Sequence, residues 1–259
     1  MNILNFPAQD GVQRFIILDL ETRNDDRLYH RYRTTDPRPA PCRWPFRRVV
    51  SATVMEVAVE HGIWEITHFQ SWAGPEDHQI VRQLFNWMIE RPAHRLVTYA
   101  GASEDIPVLK TAAMEIGLAL PRQLRHLERD RAGWLHADLA LVLKGGAGPY
   151  VHQLELATRL GLPAKMAGSA GQVPHLFDEG RFEAVAWISE CDVLLTSLLL
   201  AAHLASLGQV ISVTAAQYVT MRFVRERRPT ASYHRELGNY LAKVARQMME
   251  DQQGWLEAS

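Results

Sequence analysis

The chain has 259 residues and a formal net charge of -1, enough for one large α/β domain or one domain with a helical appendage. Its apolar fraction of 47% and charged fraction of 22% are those of an ordinary soluble globular protein, and the near-zero charge excludes a globally basic nucleic-acid binder, so any contact with DNA or RNA has to be local. Cys42 and Cys191, the only cysteines, form no CxxC pair, which argues against a thiolate zinc site or a disulfide framework. Met1 to Asn5 has neither the basic region nor the apolar core of a secretory signal. The most apolar stretch, Val193 to Leu207, is broken by Thr196, Ser197, His203 and Ser206; it is too short and too polar to span a bilayer and predicts a buried helix. The expectation is a cytoplasmic protein without membrane contact.

Residues 14–20 predict a first strand, buried on both faces because its apolar run is continuous rather than alternating. Residues 23–48 follow as a long, proline-containing connection in which eight arginines are interleaved with Tyr29, Tyr32, Trp44 and Phe46. That is the composition of a groove tracking a single strand by phosphate contact and base stacking; a surface loop with its aromatics packed on the body is the alternative. Residues 49–60 predict a second strand, His61-Gly62 a turn, and Ile63 to Trp72 a third strand antiparallel to the second. Pro75-Glu76-Asp77 starts a helix with apolar positions Ile80, Leu84, Trp87 and Met88. Residues 95–100 give a fourth strand and 105–117 a helix ended by Gly117. Helices at 137–144, 151–161 and 181–204 come next, with breaks at Lys144 to Gly148 and at Gly168 to Gly171.

This order predicts an α/β fold over residues 1–208, a mixed central sheet flanked by helices in the ribonuclease H-like arrangement. Beyond it, residues 209–259 are patterned for helix alone, with two helices divided at Arg228-Pro229, and form a C-terminal helical extension.

Four acidic residues stand where the local pattern calls for apolar ones. Asp19 and Glu21, two apart on the first strand, project from one face and can chelate one ion; taken alone, the pair also fits a strand end entering a polar loop. Asp192 lies in the apolar row Val185, Ile188, Leu195 and Leu199 of the long helix, as a ligand or as a salt-bridged interior residue. Glu190 projects from the other side as a solvated residue. Asp105 precedes Ile-Pro, where it would serve as a ligand, a helix N-cap, or both. Buried carboxylates repel one another and lose solvation, so a group of them calls for a cationic partner, and a pair of divalent metal ions is the economical one.

Secondary signals are weaker. Lys165 could reach a substrate phosphate or be an ordinary exposed lysine. His136 and Asp138 fit core hydrogen bonding or helix capping better than a metal-adjacent pair, and the arginines from 122 to 131 fit a solvated face.

The ordered set Leu18-Asp19-Leu20-Glu21-Thr22, Val97 to Leu109, His136-Ala137-Asp138-Leu139, Leu154 to Ala157, Gly161 to Lys165 and Glu190 to Thr196 resembles the DEDD superfamily of 3′-5′ exonucleases. The match is to the group related to the proofreading domain of family B DNA polymerases, over about residues 14–205. The resemblance implies sequential phosphodiester hydrolysis from the 3′ end of a single-stranded nucleic acid; the sequence does not choose between DNA and RNA, and DNA is the favoured partner. It implies two Mg²⁺ or Mn²⁺ ions, one held by Asp19, Glu21 and Asp192 and the other by Asp19 and Asp105. It also implies a tyrosine four residues, or a histidine five residues, before the last aspartate; Ile188 and Trp187 stand there. Acid-base assistance is typically worth about 10²–10⁴-fold, so the expected enzyme is slowed. The competing functions are a nucleic-acid-binding protein that no longer cuts, and a phosphodiesterase acting on dinucleotides.

Overall fold

The computed structural model describes residues 11–36, 38, 41–125, 135–145 and 151–258, with side chains described up to residue 250. Strand β1 (Val12–Asn24) runs into helix α1 (Asp26–Thr35), and a 3-10 turn at Trp44–Phe46 leads into β2 (Arg47–Glu60). The His61-Gly62 turn returns the chain as β3 (Ile63–Ala73), both of its residues having positive φ. Then come α2 (Asp77–Ile89), β4 (Arg95–Thr98), α3 (Asp105–Ile116), β5 (His136–Asp138), α4 (Leu139–Lys144), α5 (Gln153–Leu160) and α6 (Val173–Asp178). The chain closes with α7 (Phe182–Ser206), α8 (Val213–Arg227) and α9 (His234–Ala258).

The five strands form one mixed sheet in the order β3-β2-β1-β4-β5. β2 pairs antiparallel with both β3 and β1, and β4 pairs parallel with β1 and with β5. The expected ribonuclease H-like α/β architecture is therefore present. β1 is covered on both sides because its side chains alternate between two cores. Phe15 and Ile17 join Leu194, Leu195 and Leu198 of α7. Ile16, Leu18 and Leu20 join Leu84 and Met88 of α2 and Leu109 of α3. By the same alternation Asp19 and Glu21 face α7.

Several elements differ from the expectation. Helix α1 replaces part of the expected irregular connection: Asp25 caps it by accepting from the Leu28 N–H at 2.9 Å, although none of its residues is buried. Strand β5 is three residues long, too short to show a period, and takes the first two residues of the helix expected at 137–144. Within the stretch expected to be a glycine-serine break, Ala170–Gln172 forms a 3-10 turn leading into α6. Part of the Lys144 to Gly148 break and of the 122–131 arginine stretch lies outside the described residues. The length and hydropathy of α7 do reach those of a membrane span, against the expectation, yet 83% of its most apolar window is buried inside the protein. Its place is the centre of the core.

A row of hydroxyls crosses the α7 side of the sheet. Ser189 Oγ lies 3.0 Å from Ser51 Oγ and 2.7 Å from Thr53 Oγ1. Thr53 donates to Ser71 Oγ at 3.1 Å, and Ser71 donates to Glu190 Oε1 at 2.6 Å. Glu190 is 2% exposed and also accepts from Arg228 Nε at 2.7 Å and from the Tyr233 hydroxyl at 2.6 Å. The expectation of a solvated Glu190 is thus wrong. Its side of α7 is covered by β3 and by the segment joining α8 to α9, which burial patterning within α7 alone could not reveal.

Candidate metal centre

Three of the four acidic positions meet. One carboxylate oxygen from each of Asp19, Glu21 and Asp192 lies within 4.8 Å of the others. β1 supplies the first two from one face, and the pairing with β2 slips between Glu21 and Thr22, a bulge of the kind that re-aims side chains beside a site. α7 supplies Asp192, whose carbonyl accepts from Thr196 Oγ1 at 2.8 Å.

Asp105 lies outside that group of three but within reach of its field. Burial is the main reason its carboxyl is pushed up to about 8; the charges of Glu104, Asp138 and Asp192 add to the rise, and Arg47 opposes it. Asp105 is the first residue of α3, Glu104 holds the N-cap position, and the cap shows no side-chain hydrogen bond. The N-cap alternative is therefore wrong for Asp105. Asp105 is a buried residue, 8% exposed.

The loop before Asp105 is set by Asp138. This aspartate accepts from the backbone N–H groups of Ala100 and Ala102, both at 3.0 Å, and caps α4 through Ala140 N at 3.0 Å. Ala100 takes a left-handed φ of 61°, strained for alanine. Gly101 follows because a Cβ there would overlap the Thr98 side chain.

The electrostatics are those of a site lacking positive charge. Burial raises the Asp19 carboxyl well above its ordinary range, and Asp192, Asp105 and Glu21 raise it further, while Lys165 pulls it back. Burial likewise pushes Glu21 up to about 8, with Asp192 adding to it. Asp19 Oδ2 is buried without a hydrogen-bond partner, an arrangement that costs free energy until a cation or a proton satisfies it. An all-oxygen donor set with an orphaned carboxylate oxygen fits a hard divalent cation such as Mg²⁺ or Mn²⁺.

Lys165 is the residue whose role the sequence left open. Its Nζ donates to both oxygens of Asp192, at 2.9 and 2.6 Å. Partial burial works against its charge, but Asp192 outweighs this and holds the ammonium above its ordinary range. It stands in a left-handed turn with a φ of 55°, and no apolar period marks such a residue. A second acidic group, Asp77, His78 and Glu115, differs in kind because Arg48 already sits in it, paired with Glu115 and, at 3.3 Å, with Asp77.

A family model described as a predicted 3′-5′ exonuclease related to the exonuclease domain of PolB matches residues 42–244. The chain belongs to that family. The matched segment of this exonuclease family begins after β1, so Asp19 and Glu21 precede it, while α8 and the first part of α9 fall within it. The likeness thus runs further than the expected end near residue 205. Among solved structures, the family B DNA polymerase from the hyperthermophilic archaeon Pyrobaculum calidifontis is similar, with a TM-score of 0.53 at 16% identity. The likeness covers 80% of this chain and 27% of the polymerase chain, so this chain spans about a quarter of the polymerase's length. At that identity it shows the shared fold. No curated protein matches the chain.

Proposed function

We propose that this member of the family is a metal-dependent 3′-5′ exonuclease acting on single-stranded DNA ends. The observation that carries the reading is the meeting of the Asp19, Glu21 and Asp192 carboxylates within 4.8 Å, with Asp19 Oδ2 buried and unpartnered. Asp19, Glu21 and Asp192 would hold one divalent ion, and Asp19 with Asp105 a second. Two such ions, when bound, supply an activated water and stabilise the charge that develops on the leaving oxygen.

The chain's own residues prepare that chemistry. β1 fixes Asp19 and Glu21 side by side, and the buried surroundings exclude bulk water, which strengthens every charge interaction there. Lys165 keeps Asp192 in place by two hydrogen bonds. Asp138 holds the Ala100 to Ala102 loop and so the start of α3. At the positions where a base is expected, Ile188 is 1% exposed and packs with Val50, Val173 and Val185, and Trp187 packs against the α7 core. Neither can take a proton from water, which supports a slow enzyme.

That same feature supports a second reading, a protein that binds DNA ends without cutting them. A 5′-labelled single-stranded oligonucleotide incubated with Mg²⁺ or Mn²⁺ separates the two. A ladder shortening from the 3′ end, absent with Asp19→Ala, supports the nuclease; binding without shortening at enzyme excess supports the second reading.

A further inference from the structure

Helix α1 adds nothing to the core. None of its residues is buried; its Tyr29 and Tyr32 pack on Phe46, with ring centroids 5.3 and 5.1 Å apart. The Asp25 N–H donates to the Phe46 carbonyl at 2.6 Å, closing α1 and the Trp44–Phe46 turn into one small unit that rests on α3 through that turn. Ordering such a unit costs chain entropy that its own burial offsets little. It also lies ahead of residue 42, where the family match begins, apart from the turn itself.

Its charge points to a polyanion. Most of the arginines of this segment are engaged: Arg48 with Asp25 and Glu115, Arg47 with Glu104, Arg38 with Asp36, and Arg23 over the Phe177 ring. Arg27, Arg31 and Arg43 are exposed, and no ion pair joins them to any described residue. Arg27 and Arg31 sit one turn apart on the same face of α1, where like charges destabilise a helix unless an anion lies across them. Beside Arg43, Trp44 is 40% exposed and presents an indole on which a base can stack. The unit stands next to the carboxylates, because Arg47 pairs with Glu104 at 2.5 Å and Asp105 follows directly.

We propose that α1 and the Arg43-Trp44 turn form a second contact for single-stranded DNA, gripping backbone phosphates and stacking a base upstream of the 3′ end. This rests on the exonuclease reading of the neighbouring carboxylates. Phosphate contacts release counterions, about 0.7 per phosphate on a single strand, so three arginines make binding steeply salt-dependent. The stacking contribution is independent of salt.

The test is the anisotropy of a labelled oligothymidylate of about 20 nucleotides, titrated in EDTA over a range of salt. In the Arg27→Ala, Arg31→Ala, Arg43→Ala triple variant the slope of log Kd against log salt falls by about 2, whereas the corresponding triple lysine variant keeps it. Trp44→Ala weakens binding about fivefold or more at an unchanged slope. Because α1 has no buried residue, the triple alanine variant melts with the wild type, and this is measured alongside. An unchanged slope in that variant overturns the proposal and leaves these arginines to a protein partner or to solvent. Digestion in Mn²⁺ keeps the two readings apart. If the wild type shortens the oligonucleotide and the slope does not move, the second contact alone fails. If the wild type never shortens it and the slope does move, these residues hold single-stranded DNA in a protein that binds without cutting, and the nuclease reading alone fails.

Discussion

Replacing Lys165 by methionine keeps the length of the side chain and removes the one ammonium bonded to Asp192. The lysine makes two charge-assisted hydrogen bonds to that carboxylate, with side chains 27% and 13% exposed. Breaking a fully buried pair from one side costs about 3–5 kcal/mol; with the lysine about a quarter exposed, solvent screening reduces this to roughly 2–3 kcal/mol. For a chain of this size each kcal/mol shifts Tm by about 2–4 °C, so without metal the variant melts roughly 4–12 °C below the wild type. Divalent cations bound among Asp19, Glu21 and Asp192 would replace the missing positive charge, so the variant gains more from saturating Mg²⁺ than the wild type and the gap narrows. The assay is thermal unfolding of both proteins in EDTA and in Mg²⁺, followed by circular dichroism. An equal gap in both conditions refutes the reasoning, because it means that a bound cation does not stand in for the charge of Lys165.

The metal-free wild type should lose stability as pH rises. Glu21 and Asp105 are both pushed up to about 8, so the folded state keeps protons that the unfolded chain releases near its ordinary carboxyl values. The stability they contribute is complete at acid pH and is lost as pH climbs through about 8. Melting in EDTA should therefore fall between about pH 5 and pH 8 and level off above, with Glu21→Gln flattening the slope and Mg²⁺ abolishing it; a rising profile would contradict this. Arg228→Ala leaves Glu190 buried without its cation; with Arg228 26% exposed, screening brings the cost in urea unfolding to roughly 2–3 kcal/mol, and a loss under about 1 kcal/mol would show that Glu190 takes up a proton instead. Asp138→Ala strips four backbone N–H groups of their acceptor; it should cost about 2–4 kcal/mol and reduce nuclease rate beyond what the stability loss explains. Ile188→Tyr restores a hydroxyl one turn before Asp192 and should raise the 3′-shortening rate, at a packing cost of about 1–3 kcal/mol. An unchanged rate in a folded variant would place the water-handling group elsewhere.

The carboxylates were legible because each breaks a strong local pattern. Asp19 and Glu21 interrupt a continuous apolar run and Asp192 sits in an apolar row, so position marked each as a candidate and the resemblance to the exonucleases grouped them; the three lie within 4.8 Å. Asp105 was singled out for the right neighbourhood but given one wrong alternative, because a residue before Ile-Pro looks like a cap whether or not it turns inward. What escaped depends on tertiary cover. Glu190 differs from a solvated glutamate only in that β3 and the α8–α9 segment lie over it. Lys165 differs from a surface lysine only through a left-handed backbone turn. α1 was hidden for the opposite reason: with nothing buried it carries no apolar stripe, and the Asp25 cap is its one local signal.

Helix α7 has buried residues on every side, so hydrophobicity gives no instruction about how the cylinder should be turned as it settles on the sheet. Greasy contacts alone would accept several rotations about its long axis, most of them aiming Asp192 away from β1. The Ser189 and Glu190 hydrogen bonds to Ser51, Thr53 and Ser71 remove that freedom, since any other rotation strands polar groups in hydrocarbon. A file of small alcohols, chemically inert itself, thereby acts as the locating key for the acid two residues further along.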